Sequence, residues 1–176
     1  PHKSVALTYF GQRHVTANKP IKRPEDMKGM RLRVPAAPLF LMFTKSVGAT
    51  ATPIAFSDVY NALKQGLVDG QENPLPTIMA KKFYEAQSHI VLTGHITESM
   101  VTVIGSHLWN KLTPDERQIF ADTLKETAAK ATEAIEASER ILAAEFKKLG
   151  NTVIEADREL FRKAALLHRT TTLNSP

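Results

Sequence analysis

The order of apolar and polar residues predicts alternating strands and helices in the first part of the chain. β-Branched and aromatic residues at positions 5–10 predict a strand that ends at Gly11, and the next segment, GQRHVTANKPI, is predicted to be irregular or an edge strand. RPEDMKGM predicts a short helical turn, RLRVP a strand, and the residues after Pro38 a helix. An extended stretch, ATPIA, and a helix with Ser57 as its N-cap are predicted to follow.

The middle of the chain continues this alternation. LVDGQENPLP combines two apolar residues, a DG turn, a polar triplet and a proline. Residues 75–83 are predicted to be helical, and residues 90–93 and 100–104 are predicted to form two strands. The whole order predicts an α/β fold, with helices on the faces of one sheet.

The C-terminal part predicts one long helix over residues 113–149. Thr113, Pro114 and Glu116 supply an N-cap, a proline at the first helical position and a capping-box glutamate. Between Pro114 and Gly150 the chain has no glycine or proline, and apolar residues recur at helical spacing. Such a helix is about 55 Å long, whereas a compact chain of this length is about 40 Å across. We expect it to bend, to break or to span more than one lobe or subunit. A short strand (151–154) and a helix (157–167) are predicted after it.

Composition excludes several function classes. The 176 residues suit one domain, or one lobe with part of another. The absence of cysteine excludes disulfides, thiol nucleophiles and thiolate metal sites. The formal net charge is +5, but Lys and Arg are spread along the chain, which argues against a nucleic-acid partner. No apolar run is long enough to span a membrane, and no signal peptide is visible in this chain.

No motif indicates an enzyme. The chain contains no GxSxG, P-loop or GxGxxG pattern. His95 and Glu98 are a possible metal-ligand pair, but a surface role is favoured, so we expect no metal and no other cofactor. An α/β enzyme that uses scattered acids remains an alternative without a supporting motif.

Polar residues stand where strands of the predicted sheet end. Arg13 follows the first strand, Arg33 lies near the end of another, and Asn73 follows LVDG. In open α/β sheets, ligands bind beyond the carboxyl ends of the strands, and an arginine there can clamp a carboxylate through two hydrogen bonds. Phe56 could supply an apolar wall, whereas Arg31 is assigned to solvent or a local partner. Solvated arginines, a turn asparagine and a core phenylalanine remain the alternative interpretations.

Four segments together resemble a known family. They are GQRHVTANKPIKRPEDMKGMRLRVP, GATATPIAFSDVYNALKQGLVDGQENP, KKFYEAQSHIVLTGHI and LTPDERQIF, and they extend in order over residues 5–150. The chain resembles the solute-binding proteins of tripartite ATP-independent periplasmic (TRAP) transporters. The combination of the arginine-valine-proline strand, VYNALKQGLVDGQENP and KFYEAQ is specific to that family.

The resemblance implies two α/β lobes that are braced by a long helix and enclose a small organic acid. It implies that Arg33 clamps the ligand carboxylate and that Arg13 is a second arginine near it. Asn73 matches an asparagine that hydrogen-bonds the ligand, and Phe56 matches an aromatic residue of the pocket. Ala36 departs from the sialic-acid branch, which has a polar pocket residue there.

On this basis we expect the second lobe of a periplasmic-binding-protein-like fold, with the first lobe largely missing. Residues 1–104 are predicted to form the α/β ligand-binding lobe with hinge strands, and residues 105–176 the helical region with the bracing helix. The resemblance implies a periplasmic location, membrane transport subunits as partners, and a homodimer through the long helix as a possible assembly. A helix-mediated interaction module, or a truncated form that does not bind ligand, remains the alternative.

Overall fold

The computed structural model describes residues 2–173, with side chains as far as residue 168. Its strands are β1 (His2–Ala17), β2 (Arg31–Val34), β3 (Thr50–Pro53), β4 (Gly70–Pro74), β5 (His89–Gly105) and β6 (Thr152–Glu155). Its α-helices are α1 (Pro38–Ser46), α2 (Val59–Lys64), α3 (Leu75–Ala80), α4 (Ser106–Trp109), α5 (Pro114–Lys148) and α6 (Arg158–Leu173). Short 3-10 helices cover Pro24–Met27, Phe56–Asp58 and Phe83–Glu85. Among these residues, no helix has both the length and the apolar character that crossing a membrane requires.

The strands form one mixed sheet in the order β3-β2-β4-β1-β5-β6. β2 is parallel to β3 and β4, and β5 is parallel to β6, whereas β1 is antiparallel to β4. Gly70 permits the close approach of β1 and β4, because a Cβ atom there would lie 2.3 Å from the carbonyl oxygen of Thr16. The predicted α/β fold with a helix-covered sheet is confirmed.

The predicted irregular or edge segment after Gly11 is wrong. β1 continues to Ala17 and lies between β4 and β5, with Arg13–Ala17 buried. An edge strand has a neighbour on one side, whereas this segment has strands on both sides, and they provide Arg13 and Thr16 with buried partners. The residue pattern of this segment therefore did not predict that Arg13–Ala17 are buried.

Three smaller predictions also need correction. The polar triplet before Pro74 is part of a fully buried strand, β4, so Asn73 lies within a strand and not after one. The two strands predicted around residues 90–104 are one continuous strand, β5. Ser57 is not a helix N-cap, because a 3-10 helix spans Phe56–Asp58 and the Ser57 hydroxyl donates to the Asp58 carboxylate at 3.2 Å.

The chain forms two compact units, and each combines separated stretches. One contains the residues up to Gly11 with Thr97–Ile141, and the other contains Gln12–Ile96 with the residues from Leu142 onwards. The predicted division at residue 104 separates a ligand-binding lobe from a helical region by their expected functions, whereas these units are defined by compactness. That division stays a prediction. α5 is unbroken over 35 residues and contributes to both units.

In the first unit, α5 begins at a capping box and is tied to β1. The Thr113 backbone N–H donates to the Glu116 carboxylate at 2.7 Å, as the sequence predicts. Further along, the Tyr9 hydroxyl donates to Glu139 at 2.7 Å, and the Tyr9 backbone N–H donates to the Thr132 hydroxyl at 3.2 Å. These bonds fix the strand against the middle of the helix.

The second unit has an apolar cluster on each face of the sheet. Along β5, Ile90 and Leu92 belong to one cluster and Val91 to the other, as the alternation of side chains in a strand requires. Phe83 and Phe146 are fully buried in the first cluster. Burial of one such side chain stabilises the fold by roughly 1.5–3 kcal/mol. These two cores hold the strand ends that carry the candidate site.

Candidate functional site

Three of the four predicted site residues come from adjacent strands of the second unit. The register opposes Arg13 of β1 to Pro74 and pairs Arg33 of β2 with Gln71, so both arginines lie beside the β4 segment that carries Asn73. Arg13, Arg33 and Asn73 are at most 4% exposed. The sheet therefore brings Arg13 and Asn73 within hydrogen-bond distance, although they are 60 positions apart in sequence, and places Arg33 on the neighbouring strand.

Arg33 is buried, and none of the described carboxylates pairs with it. Its Nε and Nη2 atoms donate to the carbonyl oxygen of Ile54 at 3.0 and 2.7 Å. Within the described part of the chain, its Nη1 atom is buried and has no hydrogen-bond partner. Burial lowers the pKa of this guanidinium, and the charge of Arg13 adds to the effect, while Glu72 opposes it. A buried donor without an acceptor is costly, so this arrangement favours the arrival of an anion.

Arg13 has the opposite surroundings, because it is fully engaged by protein groups. Its Nε atom forms a short contact with Glu72, and its Nη2 atom donates to Glu72 Oε1 at 2.8 Å and to the Glu72 carbonyl at 2.7 Å. Nη2 also lies 3.1 Å from Asn73 Oδ1, and the guanidinium lies 4.8 Å from the ring centre of Phe40. This bidentate pair holds β1 against the end of β4.

Glu72 also accepts a hydrogen bond from His95 of β5. The His95 Nε2 atom is 3.3 Å from Glu72 Oε2, and its Nδ1 atom is 2.7 Å from the Thr93 hydroxyl. Burial is the main reason why the pKa of His95 is lowered, so the ring is neutral, with the proton on Nε2 and Thr93 donating to Nδ1. The ring stacks on Phe43 with 3.6 Å between centroids.

The ionisation of Glu72 follows from its partners. Its burial alone raises the pKa, but hydrogen bonds from His95 and Arg13 outweigh burial and keep the pKa below its ordinary value. The buried ionised groups of this region are therefore two guanidiniums, of Arg13 and Arg33, and one carboxylate. One positive charge has no counter-charge among the described residues.

Phe56 is the exposed member of the predicted set. It is 43% exposed, and its ring lies 5.8 Å from the Arg33 guanidinium and 5.5 Å from the Lys81 ammonium. Its other neighbour is the buried Phe83, which it meets edge-on at 6.1 Å. The Phe56 ring therefore lies next to the Arg33 guanidinium.

Other predictions about single residues have plain outcomes. Arg31 is exposed and pairs with Asp69 at 2.7 Å, so its assignment to a local partner is confirmed. Ala36 is exposed in the link between β2 and α1. His95 has protein partners on both ring nitrogens, and the part of the chain that the structure describes contains no group of three potential metal ligands.

The sequence did not single out five residues that support this site. They are Thr16, Gln71, Glu72, Gln87 and, apart from a possible metal role, His95. The only local signal was the polar triplet inside LVDGQENPLP, since charged and amide side chains in a short strand need buried partners. Nothing in the sequence pattern identified those partners.

The chain matches the family described as bacterial extracellular solute-binding protein, family 7, over residues 2–167. It is 40% identical over 156 residues to the sialic acid-binding periplasmic protein SiaP of Vibrio cholerae, covering 89% of this chain and 49% of that protein. The chain thus spans about half the length of the curated relatives it matches.

Solved structures of TRAP periplasmic solute-binding proteins have the same fold. One from Roseobacter denitrificans with bound 3-deoxy-D-manno-oct-2-ulosonic acid (Kdo) has a TM-score of 0.93 and 31% identity, over 97% of this chain and 57% of that chain. A second from the same organism, with bound L-galactonate, has a TM-score of 0.88 and 32% identity over the same shares. These similar proteins are solute-binding proteins and not enzymes.

Proposed function

Because this chain belongs to family 7 of the bacterial extracellular solute-binding proteins, we propose that it captures a small organic acid for a TRAP transporter. Arg33 is proposed to hold the carboxylate of that acid. The observation that carries the proposal is the buried Arg33 guanidinium, whose Nη1 atom lacks an acceptor among the described residues. A carboxylate is the group that completes such a guanidinium best, because it accepts two parallel N–H bonds.

Charge supports the same interpretation. The described residues of this region include two buried guanidiniums and one buried carboxylate, and that carboxylate, Glu72, is paired with Arg13, so a monoanionic ligand at Arg33 would neutralise the region. The attraction between a carboxylate and Arg33 is stronger in these buried surroundings than in water, because the local dielectric constant is lower. A neutral ligand would leave both the charge and the unsatisfied donor in place.

Phe56 is proposed to move when the ligand arrives. The Arg33 Nη1 atom is covered from solvent, whereas Phe56 is 43% exposed and lies over the same guanidinium. Rotation of this ring is proposed to give the ligand access to Arg33. Asn73 is proposed to hydrogen-bond the ligand beside Arg33, and Arg13 to act near the carboxylate while it stays paired with Glu72.

The proposed ligand class is the sugar acids. Sialic acid, Kdo and L-galactonate, which appear with the relatives described above, each carry one carboxylate and several hydroxyl groups. We extend that class, and no single member of it, to this chain.

The whole protein is proposed to work in the periplasm and to deliver its ligand to membrane transport subunits. The ligand would be enclosed between this chain and a second lobe that corresponds to the part of the relatives that this chain does not span. The predicted homodimer through α5 has no support among the relatives. Light scattering tests the helix-mediated interaction module, since a strict monomer at high concentration counts against it.

Calorimetry on the gene product that contains this chain tests the proposal. We expect at least one of sialic acid, Kdo and L-galactonate to bind, and galactitol, which replaces the carboxylate of L-galactonate by a hydroxymethyl group, not to bind. Arg33→Ala should weaken binding by at least ~2 kcal/mol, or roughly 30-fold, the usual cost of breaking a buried charged pair.

Arg31→Ala is the matched control for this experiment. Arg31 lies two residues before Arg33 on the same strand, but it is exposed and paired with Asp69. We expect Arg31→Ala to leave the affinity within about twofold, since an exposed ion pair contributes little. Equal affinities of the two variants would contradict the role of Arg33.

A further inference from the structure

A row of polar side chains crosses the interior of the sheet beside the proposed site. The register aligns Arg33 of β2 with Gln71 of β4, and Gln71 with Thr16 of β1. Gln71 and Thr16 have no exposed surface. Apolar side chains at these positions of a central strand would cost less free energy to bury, because every buried polar group needs a partner.

Hydrogen bonds connect this row to Asn73. The Arg13 Nη2 atom donates to Asn73 Oδ1 at 3.1 Å, and Asn73 Nδ2 donates to Gln71 Oε1 at 2.6 Å. Gln71 Nε2 then donates to the Thr16 hydroxyl at 3.1 Å. Each amide therefore uses its oxygen toward one neighbour and its nitrogen toward the next.

The chain of bonds ends on the backbone before β5. The Thr16 hydroxyl donates to Gln87 Oε1 at 3.2 Å, and Gln87 Nε2 donates to the carbonyl oxygen of Ala86 at 3.1 Å. A guanidinium can only donate and a backbone carbonyl can only accept. With Arg13 at one end and Ala86 at the other, all five bonds are directed the same way.

This direction determines how Asn73 is presented. A flipped Asn73 amide would oppose its NH₂ group to Arg13 and its oxygen to the oxygen of Gln71, so both bonds would be lost. In the observed orientation, the second N–H of Asn73 has no acceptor among the residues that the structure describes. That N–H can donate to an oxygen of a ligand.

We propose that Thr16, Gln71 and Gln87 are positioning residues, which hold the Asn73 amide so that it offers an N–H donor to the ligand. The proposal rests on the proposed function, since it assumes that a ligand occupies the space beside Arg33. It adds a rule of specificity: the ligand group beside Asn73 is a hydrogen-bond acceptor, such as a carboxylate, carbonyl or hydroxyl oxygen.

Thr16 offers the sharpest test, because it does not touch Asn73. Thr16→Val keeps the shape of the side chain but removes the hydroxyl through which Gln71 and Gln87 are oriented. Thr16→Ser keeps the hydroxyl and should restore the behaviour of the natural protein. Thr44→Val is the matched control, since Thr44 is equally buried and its hydroxyl donates to the carbonyl of Phe40 within α1.

The first measurement is NMR of the ligand-free protein with ¹⁵N-labelled asparagine. The Asn73 side-chain signals are assigned by their loss in Asn73→Asp. We expect these signals to shift and to exchange faster with solvent in Thr16→Val, and to be unchanged in Thr16→Ser and Thr44→Val. Unchanged signals in Thr16→Val would overturn the positioning proposal.

The second measurement is calorimetry with whichever of sialic acid, Kdo and L-galactonate the natural protein binds most tightly. We expect Thr16→Val to weaken binding about tenfold and Thr16→Ser less than about twofold, in keeping with the loss of one well-aligned hydrogen bond. An equal loss in Thr44→Val would overturn the proposal. If the natural protein binds none of the acids, the proposed function fails and the ligand-directed role fails with it. The NMR signals would still decide whether the chain of bonds holds Asn73.

Discussion

Arg13 and Arg33 are both buried in the same sheet, yet their surroundings differ. Arg13 is paired with the buried carboxylate of Glu72, and its remaining donors reach Asn73 and the backbone. Among the described residues, Arg33 donates only to the carbonyl of Ile54. Burial alone therefore does not identify a binding arginine. The presence or absence of a counter-charge from the protein separates an arginine that holds strands together from one that is suited to an anion from outside.

The largest expected effect compares Arg13→Met with Arg33→Met in the ligand-free protein. Arg13→Met leaves the Glu72 carboxylate buried without its cation, which should lower the free energy of unfolding by about 3–5 kcal/mol. Arg33→Met removes a buried cation that lacks a counter-charge, so its cost should stay below about 1 kcal/mol. Urea denaturation of both variants measures the difference.

Methionine is used at both positions, so differences in side-chain volume cancel. Arg13→Met should unfold at a clearly lower urea concentration than Arg33→Met. Similar midpoints for the two variants would mean that Glu72 does not distinguish the two arginines.

Acid should lower the free energy of unfolding through two buried histidines, His14 and His95. Burial is the largest cause that lowers the pKa of His14 to about 3, and the charge of Arg158 adds to it, while burial also lowers the pKa of His95. In the unfolded chain a histidine takes up its proton near pH ~6.5, so below that value the unfolded state binds more protons. Stability is present above about pH 6.5 and falls as the pH drops, by roughly 2 kcal/mol for His14 between pH 7 and pH 5, and His95 acts in the same direction.

Urea denaturation at pH 7 and pH 5 measures this loss, and His14→Gln separates one histidine from the other. The His14 ring accepts the backbone N–H of Gly94 at 3.1 Å, and a glutamine oxygen can accept it too. We expect the drop between the two pH values to be smaller in His14→Gln by roughly 2 kcal/mol. An undiminished drop would mean that His14 is not held neutral.

The smallest effect concerns Arg31, which is paired but exposed. The side chains of Arg31 and Asp69 are 49% and 41% exposed. Arg31→Ala should therefore lower the free energy of unfolding by less than about 1 kcal/mol, and added salt should reduce that loss. Denaturation at low and high salt tests this. A loss as large as that of Arg13→Met would show that an exposed ion pair contributes as much to the free energy of unfolding as a buried one.

The sequence predicted local features of this molecule better than its pairings. The capping box at Thr113 and the strand that ends after Arg33 depend on neighbouring residues, and both were predicted correctly. The central position of β1 was missed, because the segment after Gly11 was predicted to be irregular or an edge strand. The periodicity of one strand reports how it is oriented and not what lies beside it.

The same limit explains which site residues were missed. Arg33 and Asn73 were found because they stand near strand ends and match a family pattern. Glu72 was not found, because its importance arises from Arg13, which is 59 positions away in sequence. Gln71 and Gln87 meet Thr16 across 55 and 71 positions. Such contacts depend on strand order and register, which single-strand patterns do not contain.

The covered position of Arg33 beneath Phe56 has a thermodynamic consequence. The guanidinium is stripped of water when the chain folds, so folding and not ligand binding bears most of the cost of its dehydration. Affinity for the acid is thereby raised at the expense of the stability of the empty protein. Selection for heat resistance alone would replace this arginine with an apolar residue, and the stabilised protein would no longer hold an acid there.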